Sequence, residues 1–501
     1  MIGAGIGGLT TALGLVRHGY DVVILERAAS TGGKMREALL GEVAIDAGPT
    51  VLTMRWVFDE LFATLGERLD DWVSLRAAEV LARHAFEDGS TLDLFADLER
   101  SAAAVAAFAG PRESDAYRRF CAHTERIYAE VEGPFLRAGR PTLRTIATEH
   151  GLDGLTRMAR IDAHRSMWGA IRSFFRDPRL IALFARYATY TGSSPLAAPA
   201  TLNLIAHVER SGVSHVEGGM ARLAEAMTRL FLARGGEVRC GAEVASIEHA
   251  RGAVTGVRLA SGEHVSAAIV VANCDAAALA RGDLGEAAGR GMTSPGERER
   301  SLSAITWVMS ATTRGFPLLR HNVFFSADYR AEVVDLFERA RTPEAPTVYV
   351  CAQDRADAPI EGQAPERLLV LTNAPARDRR WTPEEIDRCE TRTFERLSRA
   401  GLTLVETARV RATPEDFDRL YPATRGALYG RAADGMLSPL RRPGARTALR
   451  GLYLAGGSAH PGAGVPMVAL SGRIAAASAI ADHPLTGSSP RAAMPGGTPT
   501  S

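Results

Sequence analysis

Gly3-Ala4-Gly5-Ile6-Gly7-Gly8 fits the pattern G-x-G-x-x-G, and the rest of the chain is read outward from it. Gly3 permits a tight turn, Gly5 lets backbone approach a pyrophosphate, and Gly8 lets a helix pack closely on a strand. The helix predicted over Leu9 to His18 offers free N–H groups and a partial positive charge to phosphates. Gly19 ends it, and Asp21-Val22-Val23-Ile24-Leu25 reads as a buried strand. Glu26 closes that strand about 20 residues on, where a carboxylate accepts both ribose hydroxyls. A glycine turn alone is a weak signal; with Glu26 in register it predicts a dinucleotide-binding βαβ opening. Only Met1 and Ile2 precede the turn, whereas a buried strand runs about five or six residues. The expectation is that the native chain begins upstream and that several apolar residues are missing.

The 501 residues suit two or three packed domains, and an apolar share of 46% with 23% charged residues is that of a folded globular protein. A formal net charge of +1 gives no electrostatic case for nucleic acid. Cys121, Cys240, Cys274, Cys351 and Cys389 are scattered, with no C-x-x-C pair and no histidine at ligand spacing. Neither a disulfide framework nor a metal site is expected. No basic-then-apolar leader and no run of about 18 uninterrupted apolar residues is found, so the expectation is a cytoplasmic protein able to lie on a membrane.

From about Arg76 to His207 the sequence reads as mainly helical, with helical spacing over Tyr117–Val131 and Ser166–Tyr190. From Gly218 to Asn273 it returns to α/β character, with a helix over Leu223–Ala233 and strands at Glu237, Val254–Leu259 and His264–Val271. Residues 300–425 alternate strands (Thr347–Ala352, Leu368–Thr372) with charged helices such as Pro383–Ala400. Gly451–Ala481 closes as strand, glycine turn and helix, and the Ser/Pro/Gly/Thr-rich tail from Pro484 is expected to be disordered.

Glutamate at position 26 argues against NADP. After it come Gly32-Gly33-Lys34-Met35 and Asp46-Ala47-Gly48-Pro49, the order E-R-x(4)-G-G-K then D-x-G-P. At the other end, Gly451-Leu452-Tyr453-Leu454-Ala455-Gly456-Gly457 runs into His460-Pro461-Gly462-Ala463-Gly464-Val465-Pro466-Met467 and a small-residue helix. A helix N-terminus facing a bound ligand would stabilise negative charge on it.

Together these segments resemble the FAD signature of the amine oxidase and phytoene desaturase superfamily, and H-P-G-A-G-V-P resembles the C-terminal signature of bacterial carotenoid desaturases. His321–Arg330 and Pro346–Cys351 also look like segments of that family, so the resemblance spans nearly the whole chain. Met467, the segment Gly456–His460 and the stretch Tyr421–Gly430 depart from typical phytoene desaturases. They look more like the 1-hydroxycarotenoid 3,4-desaturases of phototrophic bacteria.

The resemblance implies an α/β, Rossmann-like FAD-binding domain with an inserted α+β substrate domain and a helical region. Residues 1–75, 208–285 and 426–482 would build the FAD domain, 76–207 a helical region facing substrate and membrane, 286–425 the substrate domain, and 483–501 the tail. Gly3, Gly5, Gly8, Glu26, Arg27, Gly33, Lys34, Gly48, Pro49, Val244, Gly456, Gly464, Val465 and Pro466 would hold FAD.

The implied reaction removes a hydride and a proton from an acyclic carotenoid, inside a long apolar tunnel with a polar partner for the hydroxyl near its end. The electron acceptor would be a quinone or oxygen. Asp162 and Arg165, at i,i+3 on an expected helix, match a D-x-x-R arrangement of related desaturases; a surface helix salt bridge is the other reading. His460 is a second catalytic candidate, or else a loop anchor, and His321-Asn322 reads as a loop-shaping pair. The aromatic stretch Met167–Tyr190 could lie in a membrane interface, and core packing explains the same pattern. The implied location is peripheral to the inner membrane. Phytoene desaturase, carotenoid isomerase, amine oxidase and a non-catalytic lipid-binding escort remain the alternatives.

Overall fold

Ile2 bridges in parallel to Leu25 on one side and to Ala272 on the other, which makes the short opening segment the middle of a parallel sheet. The computed structural model describes residues 1–140, 160–356, 364–436 and 438–485. Strand Val23–Glu26 pairs in parallel with Glu237–Cys240, and Val270–Ala272 pairs in parallel with Leu452–Leu454. Strands from three distant parts of the sequence therefore meet in one nucleotide-binding layer.

Helices Ile6–Arg17 and Val465–Asp482 pack against each other at near backbone contact. A Cβ on Gly472 would come within 2.5 Å of the Gly7 carbonyl, and one on Gly14 within 2.9 Å of the Ala476 methyl. This explains the small residues of the C-terminal helix. By length and composition that helix could cross a membrane, yet half of it is buried inside the protein.

The second sheet has seven strands, in the order Leu402–Ala412, Ser303–Gly315, Glu366–Ala374, Val348–Ala352, His321–Phe324, Val80–Ala85 and Thr91–Phe95. It is antiparallel except where His321–Phe324 meets Val80–Ala85. The hairpin Val80–Phe95 thus corrects the helical reading of the region after Arg76. Its alternation is short, and what makes it strand is pairing with residues some 240 positions away. The helical part begins at Leu98–Ala109 and continues through Pro111–Val131, Met167–Phe174, Pro178–Ala185 and Leu204–Arg210.

In that part Met167, Phe175, Leu180, Leu183 and Phe184 are all buried, stacked with Phe120 and Tyr117. These residues of the stretch offered as a membrane interface are core, whereas Trp168, Phe174 and Ile181 are half-buried and Tyr190 is 38% exposed. Most of the tail expected to be disordered lies outside the described residues.

Candidate functional site

The two glycine loops are locked to each other before any ligand is considered. Gly32 N–H donates to the Ala4 carbonyl at 2.9 Å, and a Cβ on Gly33 would lie 3.1 Å from the Gly5 Cα. Gly8 stands behind them: its Cβ would lie 2.2 Å from the Gly3 carbonyl oxygen, so only glycine lets the helix start so near the strand. The Glu26 carboxylate is 8% exposed and accepts N–H groups from Ala4 (2.6 Å) and Ala28 (2.8 Å).

Asp46 of the D-x-G-P segment turns the other way. It accepts the Met220 N–H at 2.7 Å and the Ala221 N–H at 3.4 Å, holding the start of helix Ala221–Ala233. Burial raises its pKa and those two amide bonds oppose the rise. Gly48 beside it has no room for a side chain, since its Cβ would lie 1.9 Å from the Lys34 carbonyl oxygen.

The residues expected to hold FAD, except Gly8, line one cavity of about 1340 Å³. Helices Ile6–Arg17 and Val465–Asp482 both begin at a glycine, Gly5 and Gly464, and neither N-terminus has a side-chain cap. Two helix starts with unclaimed N–H groups, a strand-end carboxylate and a glycine-walled cleft form a donor set that fits a dinucleotide such as FAD.

Sequence reasoning missed Asn273, which joins the two ends of the chain here. Its Nδ2 donates to the Ala455 carbonyl at 2.9 Å, and Cβ atoms on Gly5, Gly7 or Gly456 would come within 2.9 Å of its amide. The signal available was an amide directly after the buried Val270–Ala272 strand.

Cations gather at this end of the cavity. Burial lowers the pKa of Lys34, and the charge of Asp275 opposes that. Lys34 Nζ donates to the Leu428 carbonyl at 2.5 Å and lies 5.0 Å from the Tyr421 ring centre. Arg442, also unremarked in the sequence, is buried and donates to the carbonyls of Gly457 (2.7 Å), Tyr429 (3.1 Å) and Arg431 (2.5 Å). Burial brings its pKa down to about 10. Arg27 reaches across the rim to the carbonyls of Arg419 and Leu420.

Beyond the glycines the cavity wall becomes hydrocarbon, with Met54, Val131, Leu136, Leu202, Ile205, Val208, Val323 and Leu371 among its residues. Two polar clusters interrupt it. In one, the hydroxyls of Tyr187 and Tyr190 donate to Glu209, and Arg186 donates to the Tyr190 hydroxyl at 3.3 Å. In the other, Thr50 and the Tyr349 hydroxyl are 2.7 Å apart, and that hydroxyl is 2.8 Å from His321 Nδ1. Asn322 shapes the preceding loop through Leu319, as its loop reading expected, whereas His321 is on a strand and lines the cavity.

The catalytic candidates stand apart from this cavity. Asp162 is buried in a turn, not on a helix, with a left-handed φ of +55°. Arg165 grips it at 2.8 and 2.5 Å, and His123 Nε2 lies 3.3 Å away. Burial works to raise its pKa, but hydrogen bonds from His123 and Arg165 prevail and hold it at about 2. Ile161 and Ala163 line the cavity, whereas neither Asp162 nor Arg165 does. Asp162 itself is shielded from solvent, while the Arg165 side chain that grips it is 38% exposed. His460 packs its ring on Phe135 at 4.8 Å, with Nε2 3.1 Å from the Ala138 carbonyl oxygen. That is the geometry of a loop anchor, and the cavity is lined by its neighbours Pro461 to Pro466 instead.

The sequence profile of the family described as flavin containing amine oxidoreductase matches residues 6–480. Hydroxyneurosporene desaturase of Rubrivivax gelatinosus is 47% identical over 506 residues, covering 100% of this chain and 96% of that protein. The protein of the same name from Cereibacter sphaeroides is 45% identical, covering 96% of this chain and 97% of that one. Among solved structures, wild-type putrescine oxidase bound to putrescine matches with a TM-score of 0.59 at 13% identity, over 96% of this chain and 97% of that one; this likeness speaks for the fold alone.

Proposed function

Because the chain belongs to the flavin containing amine oxidoreductase family, we propose that it is an FAD-dependent carotenoid desaturase introducing a C-3,4 double bond into a 1-hydroxy or 1-methoxy acyclic carotenoid. The observation that carries this reading is one cavity that changes character along its length. Glycine loops, Glu26 and two uncapped helix starts line one part, and aliphatic side chains line the rest. A hydrocarbon substrate needs the second part, and its oxidant needs the first.

When bound, FAD supplies a two-electron oxidant that accepts a hydride from an allylic carbon, while the substrate's polyene delocalises the charge left behind. The chain's own residues do the holding and shielding. Gly3, Gly5, Glu26, Arg27, Gly33 and Lys34 would bind the dinucleotide end of the cofactor. Gly48, Pro49, Gly456, Gly464, Val465 and Pro466 would flank its ring. The uncapped start of helix Val465–Asp482 would offer a partial positive charge to a flavin held there. Leu202, Ile205 and Val208 exclude water and align the chain, which fixes the reacting bond by position rather than by chemistry.

We also propose that the protein works at the surface of a membrane, since its substrate dissolves only in lipid, and that a quinone or oxygen reoxidises the flavin. Asp162 and Arg165 remain candidates for approaching the substrate only if the neighbouring turn moves toward the cavity.

The test is expression in cells that accumulate 1-hydroxyneurosporene, with pigments separated by chromatography. A product two hydrogens lighter and red-shifted by one conjugated double bond is the expected result. Conversion of phytoene with none of the hydroxylated carotenoid would move the chain to the earlier desaturases. Colourless protein free of flavin would overturn the enzyme reading altogether.

A further inference from the structure

The two polar clusters in the hydrocarbon wall are not equivalent. In the Thr50–Tyr349–His321 chain the last atom, His321 Nε2, is enclosed by protein and out of a ligand's reach. The other cluster keeps open atoms. Arg186 is half-buried and lines the cavity, as do Tyr190 and Glu209. Its Nη1 donates to the Tyr190 hydroxyl at 3.3 Å, and that hydroxyl donates onward to Glu209 at 3.3 Å. Arg186 Nε and Nη2 have no hydrogen-bond partner among the described residues, and both keep accessible surface. That surface belongs to the cavity, because the guanidinium lies 5.4 Å from the Tyr190 ring centre and 5.8 Å from that of Tyr349, both cavity residues. A guanidinium carries five N–H donors, and one of them is spent here. Facing the rest toward hydrocarbon alone is costly, so the position calls for an acceptor from a ligand.

The chemistry of the reaction says where such an acceptor must be held. In a 1-hydroxy substrate desaturated at C-3,4, the oxygen-bearing carbon is two carbon–carbon bonds, each about 1.5 Å, from the nearer reacting carbon. The handle for that oxygen therefore belongs at the border between the hydrocarbon part and the glycine loops. Arg186 stands at that border by two routes. Tyr349, one of the two rings beside it, bonds Thr50 at 2.7 Å, next to Pro49 and two residues after Gly48. Gly192, which follows the short helix Arg186–Thr191, packs on Tyr429: a Cβ there would lie 2.6 Å from the ring. Arg442 in turn ties the Tyr429 carbonyl to that of Gly457, in the C-terminal glycine loop. Burial raises the pKa of Tyr429 and the charge of Arg186 opposes the rise, so the guanidinium is within electrostatic reach of that hydroxyl.

Resting on the desaturase reading above, we propose that the Arg186 guanidinium is the handle for the substrate's C-1 oxygen, steadied by Tyr190, and so selects oxygenated carotenoids over hydrocarbons. The open groups on Arg186 are donors, which suits an oxygen that accepts. An alcohol and a methyl ether both accept, so one handle serves the 1-hydroxy and the 1-methoxy chain alike. A hydrocarbon end would leave the cation facing methyl groups with its donors unmet, and that penalty is what discriminates. Arg186 is thus a specificity residue, and Tyr190, whose hydroxyl is fixed by Glu209, is a positioning residue.

The experiment compares flavin-loaded wild type, Arg186→Met, Arg186→Lys and Tyr190→Phe on 1-hydroxyneurosporene, its 1-methoxy counterpart and 1,2-dihydroneurosporene, which has hydrogen in place of the hydroxyl. Wild type is expected to prefer both oxygenated substrates at least tenfold in kcat/KM. Arg186→Met should lose that preference through a tenfold to hundredfold fall on both, with the hydrocarbon unchanged or faster. Arg186→Lys, which keeps a donor cation on a shorter stem, should recover part of it. Tyr190→Phe frees the guanidinium from its anchor and should narrow the preference roughly threefold or more. Equal losses on all three substrates in Arg186→Met, an undiminished preference there, or no preference in wild type would overturn the proposal while leaving the desaturase reading intact. No conversion of any of the three by flavin-loaded wild type would overturn the desaturase reading itself. Should Arg186→Met fail to fold, an unchanged preference in Arg186→Lys and Tyr190→Phe would count against the proposal just as directly.

Discussion

Glu26 accepts the Ala4 N–H at 2.6 Å, so the carboxylate at the end of one strand holds the glycine turn that follows another. The same side chain faces the cavity where ribose hydroxyls would lie. Replacing it with Ala removes both functions. A hydrogen bond to a charged group is worth about 1.5–3 kcal/mol, so FAD should bind roughly tenfold to hundredfold more weakly. Glu26→Gln should fall nearly as far, because its amide turns an N–H donor toward the N–H of either Ala4 or Ala28. Titration of apoprotein with FAD, followed by flavin fluorescence, checks both variants; unaltered affinity would remove Glu26 from the cofactor site.

Gly8 and Gly139 make a matched pair. A methyl on Gly8 meets the Gly3 carbonyl oxygen at 2.2 Å, whereas one on Gly139 meets nothing within 4 Å. Gly8→Ala should cost about 1–3 kcal/mol or more as the helix is pushed off its strand, and Gly139→Ala should be nearly neutral. Urea unfolding of the two purified variants reads the difference. Equal stability would show that the helix start has slack that the backbone geometry denies.

That contrast also explains which parts of the molecule can be read from the sequence alone. The nucleotide half is legible because its constraints act on backbone at close range and leave glycines at fixed spacing, as at Gly3, Gly5, Gly8, Gly33 and Gly48. Asn273 was invisible because its task is to fill a gap between Gly5, Gly7 and Gly456, and only the folded chain brings those positions together. Val80–Phe95 was misread because a short strand acquires its identity from a partner, here His321–Phe324. Asp162 and Arg165 were placed on a helix because i,i+3 spacing brings side chains together in a turn as well. The aromatics of Met167–Tyr190 look alike in sequence whether they face lipid or one another, and only the folded chain shows Phe174, Phe175 and Phe184 packing on Phe120.

Stability should depend on pH through buried groups of opposite sign. Burial holds His460 at about 4, below its usual 6.5, so its contribution is complete above about pH 6.5 and is lost as pH falls toward 4. Burial likewise raises Glu332 to about 7, against hydrogen bonds from Thr347 and Ser326. Its contribution is complete below about pH 4.5 and is lost as pH rises through 7. The stability of wild type relative to Glu332→Gln should therefore fall by about 3 kcal/mol between pH 4.5 and 7, at roughly 1.36 kcal/mol per pKa unit. Relative to His460→Asn, it should rise over nearly the same window. Urea midpoints measured across that range for the three proteins test both signs at once.

Asp162 offers a test of structure against catalysis. Its carboxylate is 4% exposed and is held by Arg165, whose own side chain is 38% exposed, with His123 at 3.3 Å, so Asp162→Asn removes the charge from a half-buried pair. Weakening hydrogen bonds to a charged group costs about 1.5–3 kcal/mol. If the pair is a structural tie, the variant should lose stability yet keep its flavin, with kcat per bound flavin within a few-fold of wild type. A fall in kcat of a hundredfold or more in folded, flavin-loaded protein would return Asp162 to the reaction.

The hydrocarbon part of the cavity can be probed from a single helix. Ile205 and Val208 lie three residues apart on Leu204–Arg210, on one face, and both line the cavity. Ile205→Trp fills space there with a rigid apolar ring and introduces no charge, so electrostatics at the glycine loops is untouched. The cofactor should bind as before, and KM for the carotenoid should rise at least tenfold. Ile205→Ala should widen the same stretch and relax the choice of chain end more than it slows turnover. Measuring FAD content by absorbance alongside steady-state rates separates the two compartments. Loss of flavin from Ile205→Trp would mean that the cofactor extends into the part of the cavity assigned to substrate, and the division between the two would have to move toward Leu204–Arg210.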